Sequence, residues 1–357
     1  MPTKPSKARK LVRDGKALGK WNKLNQYYIQ LTFTPSGEET QPIAVGLDPG
    51  KKFSGIGVQS KLVTLFTAHL FLPFELVKKR MEQRAMMRRT RRGRRINRKL
   101  PFQSRAHRQK RFSNRRGKKL APSIRANRQL EIRVISELCK IFPVTSIVYE
   151  YVKADVDLIS GRKKARPGKG FSVVMVGQNW AIEQLNKIAP VTKKLGWETA
   201  NLRTHFGLEK QKGNKKEAIP ATHAVDGVAL AASQFEDYKA FENSGGHGHC
   251  WQGQVVITKA PFFVIRRPPV SRRQLHSMAF AKGGIRRKYG GTVTRHGLRK
   301  GDLVNSPKGI GYVSGDTEKQ VSVSDTNWKR LGYVSAKKVE LLRRSSGLIV
   351  LQAVKTA

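Results

Sequence analysis

Acidic residues are what this sequence has least of. Only 24 of its 357 residues are Asp or Glu, against 71 Lys and Arg, a formal charge of +47. Self-repulsion on that scale opposes a compact state, so a polyanion is expected to accompany the folded chain. Nucleic acid is the obvious candidate, held by contacts that weaken steeply with salt as counterions are released. Cysteine is nearly absent: Cys139 and Cys250 stand 111 positions apart, which excludes a disulfide framework and a thiolate zinc pair. A reducing, cytoplasmic setting fits. Apolar runs fall short of the ~20 residues of a membrane span, so no membrane partner is expected. The opening MPTKPSKARK has no apolar stretch of the kind that directs secretion. Hydrophobic residues make up 38%, enough for one sizeable core, and the length allows two or three domains or one with satellites.

Where acids are few, their positions carry information. Ile43 to Val58 (IAVGLDPGKKFSGIGV) reads as two short strands joined by a turn. Alternation puts Ile43, Val45 and Leu47 on one face and Ala44, Gly46 and Asp48 on the other, so a carboxylate ends an apolar strand. The second strand has Gly55 and Gly57 where side chains would crowd the approach to Asp48, and close approach of a ligand or another backbone is a common reason for such glycines. Asp48-Pro49-Gly50 is also an ordinary β-turn sequence, so this segment alone leaves both readings open.

Upstream, Lys4 to Lys23 carries eight Lys and Arg against one Asp14, with a helix expected over Ser6–Asp14 and a strand over Tyr27–Phe33. Leu62–Leu72 reads as a third strand in meander order. Between Lys78 and Lys119 there are 20 Lys and Arg and one acid, Glu82. Its first part, Glu75–Lys99, is expected to be helical; Arg84, Arg88, Arg91 and Arg95 share a face, with Arg89 and Arg92 on a neighbouring strip. Like charges at this spacing destabilise a free helix. A helix threaded between phosphate backbones resolves the conflict. Pro122–Phe142 is an amphipathic helix with Cys139 in its core face, and Val144–Val152 is a strand with Glu150 among apolar neighbours. Residues 153–177 read as a loop, Asn179–Ile188 as a short helix, Trp197–Arg203 as an edge strand and Glu209–Glu217 as a polar loop. Pro220 opens a helix of small residues, ATHAVDGVALAA, on which His223 and Asp226 point the same way and Gly227 permits close packing on a sheet. From Phe241 on, 21 Lys and Arg face six acids, and Gly291–Val350 shows short β runs expected to form a small barrel or sandwich. His247, His249 and Cys250 lack a fourth zinc ligand at any usual spacing.

The succession of a hairpin with terminal Asp, a third strand, a helix, a strand with central Glu and a helix with His and Asp is the order of the ribonuclease-H-like nuclease fold. Phosphodiester hydrolysis with two Mg²⁺ ions needs several converging carboxylates, and Mg²⁺ takes hard oxygen ligands. Asp48, Glu150 and Asp226 are the candidate ligands, and His223 the candidate for activating water or holding the phosphate.

The segments IAVGLDPG, IVYEYV and THAVDGVALA resemble the three split RuvC motifs of the transposon-encoded IscB group, ancestors of the type II CRISPR nucleases. The arginine-rich run resembles their bridge helix, and MPTKPSKARKLVRDGKA a shortened form of their N-terminal PLMP module. IscB proteins carry an HNH nuclease between the second and third motifs. Here Glu150 and Asp226 are 76 positions apart with no Cys and only His205 before His223, so the resemblance is to the HNH-lacking relatives, IsrB.

It implies a prokaryotic, RNA-guided nickase cutting the non-target strand: a monomeric ribonucleoprotein with a long ωRNA guide, double-stranded DNA opened into an R-loop, and two Mg²⁺ ions, with Mn²⁺ as a substitute. The organisation expected is a basic PLMP-like module (1–40), RuvC part I (41–73), bridge helix and basic linker (74–121), RuvC parts II and III (122–240), and a C-terminal basic β region (241–357) for the guide scaffold and target-adjacent motif. Two alternatives are an unguided RNase-H-fold resolvase or transposase and a non-catalytic basic RNA-binding protein. The latter has no need of Asp48, Glu150 or Asp226.

Overall fold

In a computed structural model of the chain, residues 3–35, 37, 39–94, 99–104, 120–153, 172–243, 245–269 and 292–352 are described. The chain divides into two compact units, one of Met1–Leu72, Arg128–Arg267 and Leu348–Ala357, the other of Pro73–Asn127 and Pro268–Gly347.

The first unit begins with α1 (Pro5–Arg13) and a hairpin of β1 (Ala17–Trp21) and β2 (Tyr27–Leu31). Its centre is a seven-stranded mixed sheet. β3 (Ile43–Asp48), β4 (Phe53–Ser60) and β5 (Thr64–Phe71) form an antiparallel meander. On the other side of β3, β6 (Val144–Tyr151) runs parallel to it and β7 (Val191–Leu195) parallel to β6. This is a ribonuclease-H-like arrangement. The sheet then continues past β5 with β10 (Phe262–Arg266), parallel to β5, and β16 (Ile349–Gln352), antiparallel to β10. The expected division at residue 240 therefore does not follow the sheet. Phe262 pairs with Thr67 and Arg266 with Ile349, and pairing at such separations leaves no local trace in sequence.

Alternation along β3 works as the sequence predicts. Ile43, Val45 and Leu47 share a core with Leu130, Val134 and Leu138 of α3 (Pro122–Leu138) and Ala181, Ile182 and Leu185 of α4 (Val173–Leu185). The opposite face receives α5 (Gly196–His205) and α6 (Val225–Ala232), the latter entered through a π-helical turn, Pro220–Ala224. There the backbones meet almost without side chains: a Cβ on Gly46 would overlap the Gly227 carbonyl, one on Gly57 the Val228 amide, and one on Gly227 the Gly57 amide. Helix α6 thus sits directly on β3 and β4.

Some boundaries differ from expectation. Trp197–Arg203 is not an edge strand but most of α5, because Glu198 turns back to accept the Leu195 amide at 2.6 Å and starts a helix there. The strand lies just before it, in β7. Helix α4 starts at Val173, capped by Ser172, inside the expected 153–177 loop. Glu236–Asn243 and Gly246–Gly253 pair as an unforeseen hairpin, β8–β9.

The second unit contains α2 (Phe74–Arg94) and one antiparallel sheet of five strands in the order β14-β13-β12-β11-β15: Arg330–Ser335, Gln320–Ser324, Gly311–Asp316, Leu303–Asn305 and Glu340–Arg343. Val304, Val313, Val321, Val323 and Val334 form its core. Asp302, fully buried, ties the sheet's end together by accepting from Arg344 at 2.9 Å and from the Arg299 and Ser345 amides at 2.8 Å. The expected Arg-rich helix is present in its backbone as far as Arg94; Arg95 and residues 105–119 lie outside the described residues. Among the described residues, no helix is long and apolar enough to cross a membrane.

Candidate active site

Asp48 ends β3 opposite Gly55, and Gly55 in turn pairs with His69 on β5. The missing side chain at Gly55 makes room for the π-helical turn, since a Cβ there would overlap the His223 carbonyl. The turn is thereby seated so that His223 Nδ1 lies 3.4 Å from Asp48 Oδ2, each side chain 13% exposed. The His223 Nε2 atom is buried and has no hydrogen-bond partner.

Glu150 lies one residue from the end of β6, beside β3 and on the same face as Asp48. Burial, and next the negative charge of Asp48, push its carboxyl up to about 7, while a hydrogen bond with Thr199 and the charge of Lys210 pull the other way. Asp226, on the first turn of α6, is 1% exposed. Its carboxyl is also raised, by burial first and Asp48 second. Three acids from β3, β6 and α6 therefore feel one another's charge, and the expected trio is brought into one electrostatic group. They do not converge on a point: among the described residues, no three His, Cys, Asp or Glu side chains are grouped to hold one metal ion. Asp226 is instead engaged by Arg203 of α5 on Oδ1 and by Lys210, in the following loop, on Oδ2.

Three further features escaped the sequence reading. His69 is fully buried on β5, its Nδ1 3.3 Å from Thr222 Oγ1 and its Nε2 without a partner. Its ring meets that of His223 edge-on, with centroids 5.1 Å apart. Burial, then the neighbouring His223 and Arg266, hold its pKa down to about 4, so it stays neutral near pH 7. A polar residue in the apolar run LVTLFTAHLFL was the available signal. The second feature braces the turn after Asp48. Arg128 Nη2 donates to the Gly50 carbonyl at 2.5 Å, Nη1 pairs with Glu131 at 2.9 Å, Ser54 donates to Glu131 at 2.5 Å, and the Gly50 amide donates to Ser54 at 3.1 Å. Burial pushes Glu131 up to about 7, against the pull of Arg128 and Ser54. An (i, i+3) Arg–Glu pair on the helix was legible; its full burial was not. The third feature is the Arg203–Lys210 pair on Asp226, which joins residues too far apart in sequence to suggest it.

The residues fit a hard divalent cation in their donor set and in their charge. Hard carboxylate oxygens are the ligands Mg²⁺ takes. Carboxyls raised by each other's charge are what a cation would relieve. Of the nucleic-acid-binding candidates, Arg84, Arg88, Arg89, Arg91 and Arg92 lie on the backbone of α2, and Arg95 lies outside the described residues.

A family model described as "RRXRR protein" matches residues 1–169, slightly under half of the chain; this family is linked to IscB- and RuvC-like nucleases. Arg88-Arg89-Thr90-Arg91-Arg92 spells the pattern of that name. No curated protein matches. Among solved structures, T. thermophilus RuvC in complex with Holliday junction substrate is similar at 12% identity and a TM-score of 0.27, over 54% of this chain and 91% of that one.

Proposed function

We propose that this chain is a RuvC-type endonuclease that nicks one DNA strand under the direction of a guide RNA, in the manner of IsrB. The observation that carries the nuclease reading is the electrostatic grouping of Asp48, Glu150 and Asp226 beside His223 on a ribonuclease-H-like sheet. Asp48, Glu150 and Asp226 would hold Mg²⁺, which when bound makes water a nucleophile at neutral pH and offsets the charge of the phosphate. His223, donating Nδ1–H to Asp48, keeps Nε2 as the nitrogen that accepts a proton from water. The Arg128–Glu131–Ser54 brace fixes the turn that carries Asp48.

Guidance by RNA is supported by the net charge of +47, by helix α2 with its arginines, and by the match to the RRXRR model. Cutting of a single strand is supported by the short path from Glu150 to Asp226, in which α4, β7 and α5 all pack into the nuclease unit. In such systems base pairing reads the target, while the protein reads backbone shape and a short adjacent motif.

The experiment is to sequence the RNA that co-purifies with the protein and use it to programme plasmid nicking in Mg²⁺. Wild type is expected to nick one strand, and Asp48→Ala to lose nicking while retaining RNA. Cleavage by Asp48→Ala would remove that carboxylate from the site. Equal cleavage of four-way junctions without RNA would favour the unguided resolvase.

A further inference from the structure

A buried carboxylate carries a penalty unless its charge is met, and Asp226 meets its own with two cations, one on each oxygen. Together Arg203 and Lys210 bring the charge of a single divalent ion. The two are held very differently. Arg203 projects from α5, a helix anchored by buried Thr199 and Leu202. Lys210 belongs to a stretch without regular secondary structure between Phe206 and Ile219, tied at the next residue by the Gln211 amide donating to the Ala221 carbonyl at 2.8 Å. Its charge also reaches Glu150. Lys210 thus contacts one of the three acids assigned to the metal site, bears electrostatically on a second, and is the more easily moved of the two cations.

We propose that Lys210 is a built-in counter-cation that occupies Asp226 in competition with the divalent metal, and that on metal binding it transfers to the phosphate of the substrate strand. This rests on the metal-site reading above. A divalent ion on Asp226 Oδ2 would stand against the ammonium of Lys210, and like-charge repulsion at that separation makes the two compete for the oxygen. A displaced lysine is a mobile point charge with three donors, suited to a phosphate oxygen. Metal and nucleic acid then favour each other's binding, because the phosphate gives Lys210 somewhere else to go. The site is thereby biased against loading metal before a strand is present.

The test titrates Mn²⁺ into the full-length protein stripped of nucleic acid, following loss of the free-ion electron paramagnetic resonance signal. Lys210→Met should bind Mn²⁺ about tenfold more tightly than wild type, Lys210→Arg like wild type, and Asp226→Asn far more weakly. In nicking assays, Lys210→Met should need less Mn²⁺ yet show a kcat at least about tenfold lower at saturating metal. Unchanged or weakened Mn²⁺ binding by Lys210→Met, beside a wild type that binds and an Asp226→Asn that does not, overturns the counter-cation while leaving the nuclease reading intact. Identical titrations of wild type and Asp226→Asn overturn the metal site and this proposal with it. Tighter metal with an undiminished kcat overturns the transfer to phosphate.

Discussion

Glu150 shows how a single side chain can report on its neighbours. Its carboxyl, at about 7, is above the ordinary 4.5 because burial and Asp48 both oppose its charge. A folded-state pKa above the unfolded value means the native protein binds the extra proton between about 4.5 and 7. Stability from this group is therefore fully present below about 4.5 and is lost as pH rises through 7. Without divalent metal, the wild-type melting temperature should fall between pH 5 and pH 8, and Glu150→Gln should flatten part of that fall. The raised carboxyls of Glu131 and Asp226 act in the same direction, so some slope will remain. A Glu150→Gln slope indistinguishable from wild type would place Glu150 outside the coupled trio. Mg²⁺ should reverse the trend, since the ion binds the deprotonated acids and its affinity grows through the same pH window.

At the scale of elements, the site depends on how closely α6 lies against β3 and β4. Gly227→Ala adds one methyl where the Gly57 amide already stands, and overpacking of this kind costs about 1–3 kcal/mol or more. Chemical denaturation should show that loss, and nicking should fall as Asp226 and His223 shift. Gly213→Ala, in open space, should leave both unchanged. Equal stability of the two variants would mean that the helix does not need the contact. These contacts were partly legible: glycines at Gly55 and Gly57 and a small-residue helix with Gly227 already pointed to close approach. What they approached was not legible, because a glycine records only that something is near. The reading of Trp197–Arg203 as a strand failed for the opposite reason. Its helix start rests on one capping carboxylate, Glu198, whose role appears only once the Leu195 amide is in place. Lys210, in what reads as a polar loop, gave no sign of reaching Asp226.

For the molecule as a whole, charge is the dominant sequence signal, and the one most directly tied to partners. Neutralising Arg84, Arg88, Arg91 and Arg95 together should weaken RNA binding and lower the slope of log affinity against log salt by up to about 4, measured by filter binding between 50 and 300 mM salt. An unchanged slope would make these arginines a solvated face. Domain organisation was less legible than charge. The order of the acid-bearing segments points to two strands of one sheet and a helix packed on it, whereas Phe262–Arg266 and Ile349–Gln352 join that sheet from a region that reads as separate.

That last pairing bears on how the protein is made. β5 is lined by β10, and β10 is lined by β16, with residues 268–347, which belong to the other unit, in between in sequence. A ribosome must therefore release all of residues 268–347 before β16 can close the edge of the seven-stranded sheet. Until then, β10 presents an unpaired strand edge, open to wrong partners. A nascent chain halted near residue 345 would already hold all three acids of the site, two on the sheet and one on the helix packed against it, with the sheet's edge still unsealed.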